Sequence, residues 1–162
     1  MEEDNARNRR ALKALINAGG FMAHRFGESG FVMPFSGRLR DWHIRANLCG
    51  GWLAMSTYVM ELPDKGPTRS GLLERMLELN DVISVGKFSK HEQALHLDVE
   101  YRQEHVDASA FSGLVGLVHS VCEQYYPELV RIATGDTALQ QLEVAFQRPA
   151  LGAESKERRK AD

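Results

Sequence analysis

Six histidines are the residues of this 162-residue chain whose chemistry would be most distinctive: His24, His43, His91, His96, His105 and His119. Two of them stand in the stretch HEQALH, which superficially looks like a zinc motif. The zinc motif needs histidines four residues apart, so that both lie on one face of a helix. His91 and His96 are five apart, one in a predicted hairpin turn and the other on a predicted strand. We therefore expect solvated histidines, no metal site and no cofactor.

Nucleophilic catalysis is not indicated either, because a nucleophile needs an activating neighbour and an oxyanion site. Cys49 and Cys122 are far apart and stand in no recognisable catalytic or metal-binding spacing, and no serine stands in a Gly-x-Ser-x-Gly turn. The glycines Gly113 and Gly116 are not followed by the Lys-Ser/Thr of a phosphate loop, so we interpret them as sites of close helix-to-sheet packing. We expect no catalytic residue and no enzyme activity.

Composition and charge exclude several partners. The net charge is −2, which favours neither nucleic acid nor an anionic membrane. Arg38, Arg40 and Arg45 surround Trp42, but the strand pattern puts that tryptophan on the core face, where it cannot stack on a base. No apolar run approaches 18 residues, and the N-terminus is too charged for a signal peptide. We expect a soluble, cytoplasmic, reduced protein.

One hairpin can be predicted at residue level. Trp42 to Cys49 and Trp52 to Leu62 flank Gly50-Gly51, a pair that tolerates the positive φ of a tight turn. The resulting register pairs Cys49 with Trp52 and gives the sheet one apolar core face. The other face is mixed and carries large side chains that suit a binding surface. The candidate partner-binding residues are Trp52, Tyr58, Met60, His43 and Arg45. The alternative is that a loop or the C-terminal segment, for example Leu139 to Phe146, covers this face.

The remaining elements follow from hydrophobic period. Residues 9–135 are expected to form one domain, beginning with a helix from about Asn8 to Ala18, whereas residues 1–8 fray. Residues 136–162 form an extension that is disordered after about residue 149. A second helix, capped by Thr68 or Ser70, has its apolar stripe at Leu72, Leu73, Met76, Leu77 and Leu79. Strictly alternating residues from Leu95 to Arg102 predict a strand, and a long helix capped by Asp107 or Ser109 follows; Pro127 should kink or restart it.

The order α-β-β-β-α-β-β-α indicates an α+β fold, a twisted antiparallel sheet with helices packed on one face. This order resembles that of the type III secretion chaperone-like and YbjN domains over Leu12 to Thr134. The resemblance rests on LLERMLELNDVISVGKFS and the ALHLDVEY strand, with matching residues Leu77, Leu79, Asn80, Gly86, Phe88, Leu95, Leu97 and Val99. It implies a bacterial homodimer that binds another polypeptide segment, through exposed sheet or helix surface or along a sheet edge.

Two departures favour the YbjN-like branch over the secretion chaperones, which are markedly acidic. This chain has a pI near 6.3, and it carries the C-terminal extension beyond the last family helix. The sequence thus predicts a non-catalytic protein- or peptide-binding module. The alternatives are a regulatory or scaffolding homodimer that recognises a folded partner and, third, an enzyme with an unrecognised site.

Overall fold

A computed structural model of the chain describes residues 2–134. These residues form three α-helices and six β-strands in the order α1 Glu2–Ala18, β1 His24–Phe26, β2 Gly30–Phe35, β3 Trp42–Cys49, β4 Trp52–Glu61, α2 Pro67–Val82, β5 Lys87–His91, β6 Ala94–Arg102 and α3 Ala108–Thr134. A short 3-10 turn, Gln103–His105, precedes α3. The expected C-terminal extension lies outside the described residues, as does the segment from Leu139 to Phe146.

The six strands form a single antiparallel sheet in the order β1-β2-β3-β4-β6-β5. Side chains of α1, α2 and α3 join those from one face of the sheet in a common apolar core. This confirms the predicted α+β fold with helices on one face. The sheet contains one strand more than predicted, because β1 has only three residues and is too short to show a hydrophobic period.

The β3–β4 hairpin has the predicted register, with Cys49 opposite Trp52 and Ile44 opposite Thr57. Gly50 and Gly51 both have positive φ, 59° and 81°, as the two-residue turn requires. Trp42 is 1% exposed and lies in the core, as its position on the strand predicts. At the far end of β4, a β-bulge between Tyr58 and Met60 interrupts the alternation.

The second helix differs from the prediction at its N-terminus. It begins at Pro67 after Gly66, whose φ is 91°, and no side-chain cap from Thr68 or Ser70 is used. It continues through Asn80 to Val82 before it ends. Its buried stripe is narrower than expected, consisting of Leu72, Met76 and Leu79. Leu77 was expected in that stripe but is 69% exposed, because it lies on the side of the helix away from α3 and the sheet.

The other two helices are more continuous than expected. α1 begins at Glu2 rather than near Asn8, so residues expected to fray are helical, and Asn5 ties this part of the helix to the Glu28 carboxylate. α3 runs without interruption through Pro127. Asp107 caps it as predicted, accepting a hydrogen bond of 2.7 Å from the Ala110 N–H.

Candidate binding surface on the open face of the sheet

The side of the sheet that faces away from the helices is called the open face below. Within the described residues no helix or strand packs on it, and the outward residues of β3 are all exposed. Strand register aligns side chains across it: Val32 pairs with Arg45, Arg45 with Ser56, and Ser56 with Asp98. Four strands therefore contribute to one row of side chains on an uncovered surface.

A groove of about 450 Å³ lies on this face. Its floor carries the small side chains of Ala54 and Ser56, which leave space above the middle strands. The β1–β2 turn from Phe26 to Gly30 lines one side, together with Arg45. His91, at the end of β5, lines the other side. The sequence predicted the floor strands correctly but not the wall, because β1 was not recognised.

The five predicted site residues do not converge at one point. Arg45 lines the groove, and its guanidinium carbon lies 4.8 Å from the ring centroid of Phe26. Trp52 is 40% exposed near the hairpin turn, with the Arg102 guanidinium carbon 4.4 Å from its ring centroid. His43 is also exposed, on β3. The predicted residues are therefore distributed along the face, and Arg45 is the one that contributes directly to the groove.

Tyr58 and Met60 are less available than the sequence indicated. Tyr58 is half-buried, with its ring centroid 5.7 Å from that of His96 and 5.4 Å from the Arg40 guanidinium carbon. Met60 follows the bulge and pairs with the buried Leu95, so its side chain packs against the core. Alternation alone could not predict this, because a bulge shifts every later side chain relative to the pleat.

The structure shows a polar cluster on this face that sequence reasoning missed. It consists of Ser56, Ser89, His91, His96 and Asp98. Asp98 accepts a hydrogen bond from Ser89, and its Oδ2 lies 2.6 Å from His91 Nε2. The Ser56 hydroxyl lies 3.2 Å from His96 Nδ1, and the two imidazole centroids are 4.7 Å apart. The signal was available in the sequence, because His96 and Asp98 alternate onto one face and the hairpin brings β5 beside them.

Two of these groups have displaced pKa values. Partial burial would raise the pKa of Asp98, but hydrogen bonds from Ser56, Ser89 and His91 outweigh it and hold that pKa below its usual value. The pKa of His96 is lowered from 6.5, first by burial and then by repulsion from His91. Asp98 is therefore an anion and His96 a neutral imidazole at neutral pH.

This cluster can hold and orient polar groups, but it does not form a catalytic relay. The histidine that lies beside Ser56 is His96, whereas the histidine that contacts Asp98 is His91. A nucleophilic triad needs one histidine between the two. Among residues 2–134, no group of His, Cys, Asp and Glu side chains is arranged to hold a metal ion. No helix in that same part of the chain is long and apolar enough to cross a bilayer.

No model of a known protein family matches the chain, and no curated protein matches it. Among solved structures it is similar to one chain in the structure of the heterodimeric ExoU–SpcU complex from the type III secretion system of Pseudomonas aeruginosa. The TM-score is 0.47 at 14% identity, over 70% of this chain and 83% of the other. A similarity this low carries no functional inference.

Proposed function

We propose that this protein is a non-catalytic binding module that holds an extended polypeptide segment of another protein on the open face of its sheet. One observation carries the proposal: in the described part of the chain the open face is uncovered and contains a groove of about 450 Å³. The groove combines an apolar wall, Phe26, with polar groups such as Arg45 and Asp98. Apolar surface gives affinity and a few fixed polar groups give orientation, which suits a peptide.

The surface favours adaptable rather than narrowly specific binding. Trp52 offers a large, partly exposed ring at one end of the face, with Arg102 stacked on it. Arg45, stacked on Phe26, is in a similar arrangement beside the groove. Such arginine–aromatic pairs present an apolar plane and several hydrogen-bond donors together, so they accept varied sequences. We therefore expect moderate affinity and tolerance of sequence changes in the bound segment.

A second candidate, a scaffolding homodimer that recognises a folded partner, is favoured by apolar surface elsewhere. Leu77 and Val82 on α2 are 69% and 66% exposed, away from the open face. Large exposed aliphatic side chains of this kind suit a contact with a second copy. The homodimer is part of both candidates, and Leu77→Glu should convert a dimer into monomers in sedimentation velocity. The resemblance to secretion chaperones and YbjN domains agrees with either candidate.

The two candidates differ in whether a peptide binds. We would select binders from a displayed library of unstructured dodecapeptides and titrate the best one against the protein, following tryptophan fluorescence. Trp52 is the exposed tryptophan and Trp42 the buried one, so a change that disappears in Trp52→Phe reports binding at the open face. With a fluorescently labelled copy of the same peptide followed by anisotropy, Trp52→Ala and Tyr58→Ala should each weaken binding, by about tenfold for a partly exposed aromatic contact.

Met22→Ala is the matched control, because it removes an exposed apolar side chain that does not line the open-face groove. It should leave peptide affinity unchanged. Failure to select any peptide, or equal affinity for wild type, Trp52→Ala and Tyr58→Ala, would reject the open face as the binding site. In that case the scaffold candidate takes its place.

A further inference from the structure

A second groove, of about 320 Å³, lies between α1 and the β1–β2 edge of the sheet. It is on the helix side of the sheet and shares no residue with the open-face groove. Four cationic side chains line it: Arg9, Arg10, Lys13 and Arg25. Between them the floor is apolar, with Phe21 and Ala23 half-buried. A basic rim over an apolar floor is thus concentrated at one edge of a protein whose net charge is −2.

The local sequence explains why these cations converge. Arg9, Lys13 and Ile16 are four and three residues apart, which places them on one stripe of α1. Ile16 anchors that stripe in the core, at 2% exposure, so the two cations above it face the sheet edge. On β1, Arg25 pairs with the buried Phe31 and therefore points to the helix side. Helix period and strand alternation together direct positive charge into the groove.

The four cations have no carboxylate partner in the part of the chain that the structure describes. The acidic residue that contacts α1 here is Glu28. Its carboxylate accepts a hydrogen bond from Asn5, and its main-chain oxygen accepts one of 3.1 Å from Arg9. Unpaired like charges repel one another, and in a cleft with apolar walls they concentrate a positive potential. The groove is therefore complementary to an anionic ligand that also has apolar groups.

We propose that this groove binds a short, extended, acidic polypeptide segment of another protein. Carboxylates of the segment contact Arg9, Arg10, Lys13 and Arg25, and an apolar side chain between them packs on Phe21 and Ala23. β1 is a terminal strand of the sheet, and no strand within residues 2–134 pairs with its outer side, so an added strand can pair there. This site is separate from the open face and does not depend on it.

Other occupants fit the groove less well. The chain's own residues 136–162 carry five basic and five acidic residues, so they offer no net negative charge. A single-stranded nucleic acid would need an exposed aromatic face for stacking. Phe21 is instead packed edge-on against Phe35 and Phe111, with centroids 5.8 and 6.1 Å apart. An acidic peptide with alternating leucines satisfies both the charge and the apolar floor.

The test is fluorescence anisotropy of the full chain with a labelled synthetic peptide in which Glu and Leu alternate. We expect Lys13→Glu to weaken binding by about tenfold or more, because it replaces attraction by repulsion at the centre of the rim. Lys13 is exposed and makes no contact that the fold requires, so circular dichroism should not change. Raising NaCl from about 0.05 to about 0.5 M should weaken binding by a similar factor, as screening predicts.

Lys87→Glu is the matched control, since it makes the same change of net charge at the opposite edge of the sheet. Equal losses of peptide affinity in Lys13→Glu and Lys87→Glu would overturn the site, because binding would then depend only on the overall charge of the protein. Equally tight binding of a Glu-Ser peptide, or tighter binding of a single-stranded oligonucleotide, would overturn the proposed ligand. Trp52→Ala should bind the Glu-Leu peptide with wild-type affinity. Loss of peptide binding at the open face would therefore leave this result unchanged.

Discussion

The side-chain amide of Asn80 pairs with the main chain of Phe88 in both directions. Asn80 Nδ2 donates to the Phe88 carbonyl at 3.0 Å, and the Phe88 N–H donates to Asn80 Oδ1 at 2.7 Å. The amide thus occupies the place that a neighbouring strand would take beside β5. Because β5 is an edge strand, this contact closes the edge at Phe88 and ties the end of α2 to the sheet.

Asn80→Ala should therefore destabilise the protein. It removes two hydrogen bonds to main-chain groups that are partly buried, and each is worth about 1 kcal/mol. We expect the free energy of unfolding in urea to fall by about 2 kcal/mol. Asp81→Ala, at an exposed neighbouring position, is the control and should change it little. An equal effect of the two substitutions would mean that the Asn80–Phe88 contact contributes nothing to stability.

Glu123 on α3 joins the helix to the loop before β3. Its Oε1 accepts a hydrogen bond of 2.5 Å from Trp42 Nε1, and its Oε2 accepts one of 2.8 Å from the Arg38 N–H. Glu123→Ala would leave a buried indole N–H without a partner, which costs about 1–3 kcal/mol. We expect that loss in chemical denaturation, and a smaller one for Glu123→Gln, which keeps an acceptor. Glu74→Ala, on the exposed surface of α2, is the control and should leave the free energy of unfolding unchanged. The prediction is wrong if Glu123→Ala also leaves it unchanged.

Acidification should weaken the fold through the open-face cluster. Because the folded-state pKa of His96 lies below 6.5, the folded protein binds its proton less readily than the unfolded chain. Stability due to His96 is present above pH 6.5 and is lost as pH falls towards its folded pKa. Asp98 also makes the folded state less stable as the pH falls, but only below pH 3.8, the ordinary pKa of its carboxyl group. Between about pH 7 and about pH 5, His96→Gln should show a shallower loss of stability than wild type, and an unchanged slope would contradict the prediction.

Gly113 and Gly116 are open to solvent, and a Cβ added to either would meet no atom within 4 Å. The interpretation of these glycines as close-packing sites was wrong. Gly113→Ala and Gly116→Ala should each stabilise the protein by about 0.5–1 kcal/mol, because alanine restricts the unfolded chain and favours the helix. A thermal melt of each variant measures this, and a lower Tm would contradict it. Gly86→Ala should do the opposite, since φ there is 89° and its Cβ would lie 2.9 Å from Val99.

The two cysteines should differ sharply in reactivity. Cys49 is exposed, whereas burial raises the pKa of the Cys122 thiol to about 12. At about pH 8 a thiol-specific chromogenic disulfide should therefore react with one thiol in the native chain and with two after unfolding. Cys49→Ser should abolish the native reaction. Rapid reaction of native Cys49→Ser would show that the helix carrying Cys122 opens readily.

Hydrophobic period was enough to predict the elements that lie half in the core. The β3–β4 register followed from Gly50-Gly51 and from alternation, and the fold class followed from the order of helices and strands. Where the pattern was short or interrupted, it failed. β1 has three residues, and the bulge after Tyr58 turns Met60 from the open face to the core. Both depend on contacts with neighbouring strands, which a local pattern does not contain.

The sequence by itself determined the α+β fold, the buried face of the sheet and the presence of large side chains on its other face. Only the tertiary structure decided which side chains meet. It brings His91 and Asp98 together from two strands, and Lys13 and Arg25 together from a helix and an edge strand. The reason is physical: burial follows period along the chain, whereas a groove forms where elements distant in sequence approach one another.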